Sequence, residues 1–318
     1  MATVSSPNLF IIGMPRSGTK LLRTLLNNHP AIYIPDIETA FIPDLIEAFA
    51  GREMSEPDIY RAVGRIKGSI FFFYYLEKND FDFARLLVKP PCSIYDILSE
   101  FYAGLLESSD CSYQYIGDKS PRNIYKTAIM AKGFPDAKFI HIVRDPRDYA
   151  LSVRKAWGKN ELRAVFRWIE GVSCFQKATM TGSMGFIEVR YEDLVSDTET
   201  TLKRCTEFLD LDYDPAMVQL KTPVENLGDA RAPKIERDNL GKYRKKMSRS
   251  RIKTIDDYVL ELLHRYGYPC SSDRTYNKPI SAVLQAILRL LDVVSLVKFN
   301  IQQHGLRAGL EKITRASR

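Results

Sequence analysis

Thiol pairs are missing from this chain. Its five cysteines (Cys92, Cys111, Cys174, Cys205, Cys270) are scattered and odd in number, and no C-x-x-C occurs. That leaves no zinc site and no disulfide framework, and it suits the reduced thiols of a cytoplasmic protein. No basic n-region precedes the first apolar run, so neither a secretory signal nor an N-terminal anchor is expected. Uninterrupted apolar stretches of membrane-spanning length are missing too. The most apolar late segment, 281–299, is broken by Gln285, Arg289, Asp292 and Lys298, which argues against a spanning helix. No internal repeat or low-complexity tract is visible.

What remains has the balance of a globular protein: 318 residues, 45% apolar and 27% charged. That is enough for one large α/β domain or two smaller ones. The net charge of +7 is concentrated. Residues 231–253 hold ten basic and two acidic side chains, and residues 278–318 hold seven and two. The body of the chain is therefore slightly acidic, unlike a nucleic-acid binder that is basic throughout. A basic segment and a basic tail stand out against it.

The most informative stretch is Leu9-Phe10-Ile11-Ile12-Gly13-Met14-Pro15-Arg16-Ser17-Gly18-Thr19-Lys20-Leu21-Leu22. Leu9–Ile12 reads as a strand covered on both faces. Gly13, Pro15 and Gly18 punctuate a loop, and Leu21, Leu22, Leu25 and Leu26 recur at helical spacing. A strand–loop–helix corner of this kind aims backbone N–H groups and a helix dipole at one point, which makes an anion cradle. The spacing misses the nucleotide-phosphate pattern G-x-x-x-x-G-K-[ST]. Thr19 stands where lysine belongs, and Leu21 follows Lys20, so the hydroxyl that would hold Mg²⁺ is absent. A phosphate-like group is expected there, without metal-dependent nucleotide cleavage.

Further along, His29-Pro30 ends the first helix and Ala31–Ile34 reads as a short strand. Glu38 follows in a connection, where it either charges the next helix or serves a site. Residues of about 50–110 form a helical insert, including the aromatic block 71–76. Tyr113–Ile116 reads as a strand with Lys119 in the turn beyond it, facing a site or merely solvated. Lys138–Val143 is a second buried strand. It runs into Arg144-Asp145-Pro146-Arg147 and a helix carrying Ser152, so Arg144 and Ser152 can clamp a second phosphate. The same loop can equally be an internal salt-bridge corner. His141 alternates with apolar neighbours and reads as a core histidine. Phe186–Arg190 is a further strand, followed by Tyr191-Glu192-Asp193-Leu194. Residues 221–239 lack periodicity and lead into Gly241-Lys242-Tyr243, which can fold over an anion or stay solvated.

Strands and helices alternate along most of the chain, which predicts a central parallel sheet flanked by helices, a three-layer α/β/α arrangement like that of P-loop NTPases. Residues 1–270 are expected to form this domain. Residues 271–318 are expected to be a linker and an amphipathic helical tail, for which a peripheral membrane contact and homodimer packing are both open.

Together, the phosphate-type loop and the Val143-Arg144-Asp145-Pro146-Arg147 stretch with Ser152 resemble the sulfotransferases that use 3′-phosphoadenylyl sulfate (PAPS). The resemblance spans roughly residues 8–268. It implies that Arg16 faces the transferred sulfonate and that Ser17, Gly18, Thr19 and Lys20 hold the 5′-phosphate. Arg144 and Ser152 then take the 3′-phosphate, Tyr191 the adenine side, and Lys242 a late phosphate contact. It also implies Glu38 as general base, in the manner of the glutamate branch of the family, and Lys119 as a stabiliser of the transferring group. PAPS would be the co-substrate, adenosine 3′,5′-bisphosphate the product, and no metal would be needed. The acceptor would be a hydroxyl on a glycan, a lipid or a small molecule. The competing reading is a P-loop kinase or NTPase with a degenerate phosphate loop, and Mg²⁺ dependence separates the two.

Overall fold

The computed structural model describes residues 6–69, 80–106, 113–182, 184–221 and 234–304. The aromatic block 71–76, Cys111 and most of the 221–239 segment lie outside them. Five strands are described: β1 Leu9–Gly13, β2 Ile32–Tyr33, β3 Tyr115–Lys119, β4 Lys138–Val143 and β5 Gly185–Arg190. The helices used below are α1 Thr19–Leu26, α2 Ile42–Phe49, α3 Glu56–Lys67, α4 Ile94–Leu106, α5 Thr127–Gly133, α6 Pro146–Trp157 and α7 Glu161–Thr179. They continue as α8 Tyr191–Ser196, α9 Thr198–Phe208, α10 Tyr243–Lys246, α11 Arg249–Arg265 and α12 Ala282–His304.

The chain forms two compact units. The first comprises residues 1–143, 171–189 and 197–221 and contains the sheet, whose strand order is β2-β3-β1-β4-β5. β1 pairs in parallel with β3 on one side and β4 on the other, and β2 pairs in parallel with β3. All five residues of β1 and of β3 are buried, as expected for strands covered on both faces. β1 is where the strand order changes direction, and in open parallel sheets the crevice beyond the strand ends at such a point is where ligands bind. Two features of the sequence shorten β2. Its run is only Ile32-Tyr33, and the Asn27 side chain then brackets Ile34, donating to its carbonyl at 2.7 Å and accepting from its N–H at 2.7 Å. The chain is thereby turned toward Asp36, which pairs with the buried Arg23 of α1.

In the 50–110 stretch, the described residues hold helices joined by irregular segments. α3 starts with a capping box in which Asp58 accepts from Ser55 N–H and Oγ at 3.1 and 2.7 Å. A 3-10 turn, Phe83–Leu86, and α4 follow. Phe101 of α4 meets Phe41 edge-on, with ring centroids 5.4 Å apart, and also contacts Phe81.

The second unit comprises residues 144–170, 190–196 and 222–318. Its core includes fully buried Trp168 of α7 beside Tyr266, and Phe166 against Tyr258 of α11. The polar segment after α11 is stitched to that helix. Ser271 N–H donates to Asp256 at 2.7 Å and Ser272 Oγ to Asp257 at 2.6 Å. The tail helix α12 extends beyond the 281–299 expected, to His304.

Candidate active site

Where β1 stops, five residues turn the chain into α1. Ser17 N–H donates to the Met14 carbonyl at 3.1 Å and closes the turn. Arg16 has φ 70° and Gly18 has φ 91°. Gly18 adopts that left-handed backbone at little cost, whereas Arg16 bears strain of about 1–3 kcal/mol, which folds tolerate mainly at functional sites. Gly13 answers a different demand: a Cβ there would stand 2.6 Å from the Ile142 carbonyl oxygen, so β1 and β4 approach too closely for any side chain. Ser17 is fully buried, and its hydroxyl has no hydrogen-bond partner among the described residues. Such a group costs about 1–3 kcal/mol unless something satisfies it. The first N–H groups of α1 also lack intrahelical acceptors by construction, and the dipole end is positive there. An anionic oxygen answers all of these needs at once. Thr19 is buried and Lys20 half-buried.

The parallel pairing of β2 and β3 places their ends on the same side of the sheet. Glu38, shortly after β2, meets Lys119, the last residue of β3, with Nζ to Oε1 at 2.6 Å. The Lys119 side chain is 7% exposed and that of Glu38 28%. An ammonium so buried needs a partner, and the carboxylate supplies a charge-assisted bond. Register fixes where this pair lies. Lys119 is level with Ile11 of β1, two residues short of Gly13, where the loop begins. β3 thus runs through Gly117-Asp118-Lys119, a sequence that reads as a turn, and Lys119 sits in the strand rather than beyond it.

Asp118 is the residue that sequence reasoning missed in this unit. It is buried and accepts hydrogen bonds from Thr39, from Ser120 Oγ at 3.0 Å and from Asn123 Nδ2 at 3.3 Å. Burial pushes its carboxyl up to about 6, against the opposing pull of Thr39, Ser120 and Lys119. Thr39 directly follows Glu38, so Asp118 anchors the segment that carries the base candidate. The signal was present in the adjacency of Glu38-Thr39 and of Asp118-Lys119, but the pairing spans 79 residues.

In the second unit, Arg144 is buried, and its guanidinium lies over the Tyr191 ring, 4.4 Å from the centroid. It donates to the Asn239 carbonyl at 3.0 Å, and Asn239 Nδ2 donates to the Tyr191 hydroxyl at 3.0 Å. The next turn carries Lys242. Asp148 of α6 accepts from Gly241 N–H at 2.6 Å and from Tyr243 N–H at 2.8 Å, one on each side of Lys242. Burial raises the Asp148 carboxyl, and those N–H bonds and Arg144 oppose the rise. Ser152 is half-buried on α6, two turns past Arg144. Asp148 and Asn239 carry no motif of their own and were not foreseen.

The two arginines of Arg144-Asp145-Pro146-Arg147 have different surroundings. Arg147 is the salt-bridge corner. It is fully buried, held by Asp145 at 2.7 Å, Asp256 at 3.0 Å and the Pro269 carbonyl at 2.8 Å, and lies over Tyr243. Burial acts to lower its pKa, but Asp145 and Asp256 outweigh that and raise it. Arg144 is held instead by an aromatic face, the Asn239 carbonyl and the charge of nearby Asp148.

His141 is the core histidine expected. It is fully buried, stacked on Phe175 with centroids 4.0 Å apart and hydrogen-bonded to Glu188 at 3.0 Å. Among the described residues, no cluster of His, Cys, Asp or Glu is arranged to hold a metal ion.

Comparison with known proteins agrees with the geometry. A family model described as Sulfotransferase family matches residues 7–215. Protein-tyrosine sulfotransferase A of Caenorhabditis elegans is 24% identical over 86% of this chain and 71% of its own length. Protein-tyrosine sulfotransferase 1 of Danio rerio is 24% identical over 89% and 79%. The omega-hydroxy-beta-dihydromenaquinone-9 sulfotransferase Stf3 of Mycobacterium bovis is 25% identical over 47% and 40%. Two solved structures share the fold. The sulfotransferase domain of the Synechococcus PCC 7002 olefin synthase has a TM-score of 0.55 at 21% identity, covering 83% of this chain and 96% of that one. The sulfotransferase domain of the curacin biosynthetic pathway has a TM-score of 0.53 at 18% identity, covering 83% and 99%. The parallel α/β sheet, the strand–loop–helix corner at its switch point and the family match over residues 7–215 make this chain a member of the sulfotransferase family.

Proposed function

We propose that the chain transfers a sulfonate group from PAPS to a hydroxyl acceptor, with Glu38 as general base. The observation that carries this reading is the Glu38–Lys119 pair at parallel strand ends, in register with the strand that opens into the anion loop. Bound PAPS would supply an activated sulfonate with the 5′-phosphate of adenosine 3′,5′-bisphosphate as leaving group.

A neutral hydroxyl is a poor nucleophile, and Glu38 is placed to take its proton as it attacks. Lys119 orients that carboxylate in the free enzyme and is a fixed cation for the negative charge that develops in transfer. Arg16 and the N–H groups at the start of α1 serve the same charge without a metal ion. Ser17, Gly18, Thr19 and Lys20 would hold the 5′-phosphate; the unsatisfied Ser17 hydroxyl fits that role. Arg144, Ser152 and Lys242 would hold the 3′-phosphate, with Tyr191 on the adenine side. The cytoplasmic setting rests on the scattered thiols, four of which are free among the described residues.

The relatives named above act, by their names, on protein tyrosines and on a hydroxylated menaquinone. The Glu-type base suits glycan and lipid-linked hydroxyls as well. Transfer of label from ³⁵S-PAPS in EDTA, onto a panel of tyrosine peptides, glycans and hydroxylated lipids, tests the reading. Labelled product with wild type, and at least about a hundredfold less with Glu38→Gln, is expected. Phosphoryl transfer from ATP that requires Mg²⁺, with no sulfonate transfer, overturns it.

A further inference from the structure

Helix α12 presents two unlike faces. Leu288 is buried, Asp292 accepts the Asn160 N–H at 2.7 Å, and Phe299 closes against Gly158. These residues recur at helical spacing and fasten one face of the helix to its own unit. The opposite face is apolar and open. Val283, Ile287, Leu290, Val293 and Val294 are between 49% and 70% exposed. Four of them, Val283, Ile287, Leu290 and Val294, follow the i, i+4, i+7, i+11 stripe of a single helix face. A contiguous stripe of this kind on a soluble surface marks an interaction site.

The charge around the stripe is of one sign. Lys298 lies along one edge of it, and Arg289 lies on the other flank, beyond Val293. Asp292, the one acid of the helix, is spent on the packing face. Beside the helix lies an open cavity of about 390 Å³ lined by Arg154, Lys159, Arg251 and Lys298. The single carboxylate in that lining, Glu161, is already shared between Arg154 at 2.7 Å and Arg251 at 3.4 Å. In sequence, residues 305–318 add four basic side chains and one acidic.

We infer that α12 docks the protein on an anionic lipid bilayer, lying in the plane of the interface with its apolar stripe in the acyl boundary and its flanking cations among the headgroups. Hydrophobic burial and attraction to anionic lipid then act on the same surface. A second copy of the chain is the poorer occupant. A two-fold contact through this face would set a surface edged by Arg289 and Lys298 against its own image, with no acid on the stripe to pair them. Spanning is excluded as well, since no helix among the described residues is long and apolar enough to cross a membrane. This inference stands apart from the reaction proposed above.

Co-sedimentation of the full chain with phosphatidylcholine vesicles, with and without phosphatidylglycerol, is the test. Binding to the phosphatidylglycerol vesicles is expected, weakening as salt is added. The double variant Leu290→Glu/Val294→Glu changes only exposed positions, so its melting curve should match wild type while its vesicle binding falls at least about tenfold. Lys298→Glu should lower binding about fivefold or more, since each cation at the surface contributes about that factor. Failure to bind either vesicle overturns the inference, as does equal binding by wild type and the double variant, or equal binding with and without phosphatidylglycerol. A dimer that the double variant dissociates, without vesicle binding, assigns the face to a second copy instead.

Discussion

Two buried aspartates, Asp118 in the first unit and Asp148 in the second, do comparable work by different means. Each clamps a segment that carries a candidate site residue: Asp118 holds Thr39 beside Glu38, and Asp148 holds Gly241 and Tyr243 on either side of Lys242. Asp118 is satisfied by side chains, from Thr39, Ser120 and Asn123. Asp148 takes backbone N–H groups, which any residue but proline supplies. The cations they accompany differ as well. Lys119 is matched with a carboxylate that is partly open to solvent, an arrangement suited to proton and charge movement. Arg144 is fixed by a ring, a carbonyl and the charge of Asp148, an arrangement suited to a stationary anion. Under the proposed function, the first region would serve change and the second grip.

Substitutions that separate change from grip sharpen this contrast. The largest effect is expected from Glu38→Gln. Turnover should fall by about 10²–10⁴-fold, the usual worth of a general base, while affinity for adenosine 3′,5′-bisphosphate stays near wild type. Steady-state kinetics and calorimetry on the same preparation read both quantities. Next comes Arg147→Ala, which belongs to neither role. It leaves Asp145 and Asp256 buried without their cation, and unfolding stability should drop by about 3–5 kcal/mol in denaturant titrations. Arg144→Ala removes one charge-assisted contact to the proposed 3′-phosphate. Bisphosphate affinity should weaken by about ten- to a hundredfold, with a much smaller loss of thermal stability than Arg147→Ala.

The smallest effect is expected at Asp118. Its folded-state pKa of about 6 lies above the ordinary carboxylate value, so the folded chain binds this proton more tightly than the unfolded one. The stability it contributes is therefore present at low pH and lost as pH rises from about 4 to about 6. Melting temperatures of wild type and Asp118→Asn across that window should diverge, with wild type losing ground as pH rises. Parallel curves would remove Asp118 as a buried titrating clamp.

Much of this fold was legible in the chain. β1 is a continuous apolar run and β4 an apolar run broken only by His141, ended by Gly13 and by Arg144, and the glycine-punctuated loop follows the first of them. The Arg144 stretch was legible in part. Its residues show two cations in a tight loop, but only the contacts to Asp256 and the Pro269 carbonyl reveal which arginine is structural. The end of β3 was misread because Gly117-Asp118-Lys119 has turn composition. Local hydrogen bonds to Asp118 and the ion pair of Lys119 let those residues stay in a buried strand against their propensity. The short helix α8 leaves no mark in the sequence, because Tyr191–Ser196 is too brief to show a period. The clamps of Asp118 and Asp148 were out of reach for a simpler reason. Their partners lie 79 and 95 residues away, and no local pattern encodes that distance.

The division between change and grip is tested most directly by calorimetric titration of adenosine 3′,5′-bisphosphate, in EDTA, into wild type, Glu38→Gln and Arg144→Ala. The expected result is that wild type and Glu38→Gln bind alike and Arg144→Ala binds about ten- to a hundredfold more weakly. No binding by wild type, or an equal loss in both variants, would contradict it.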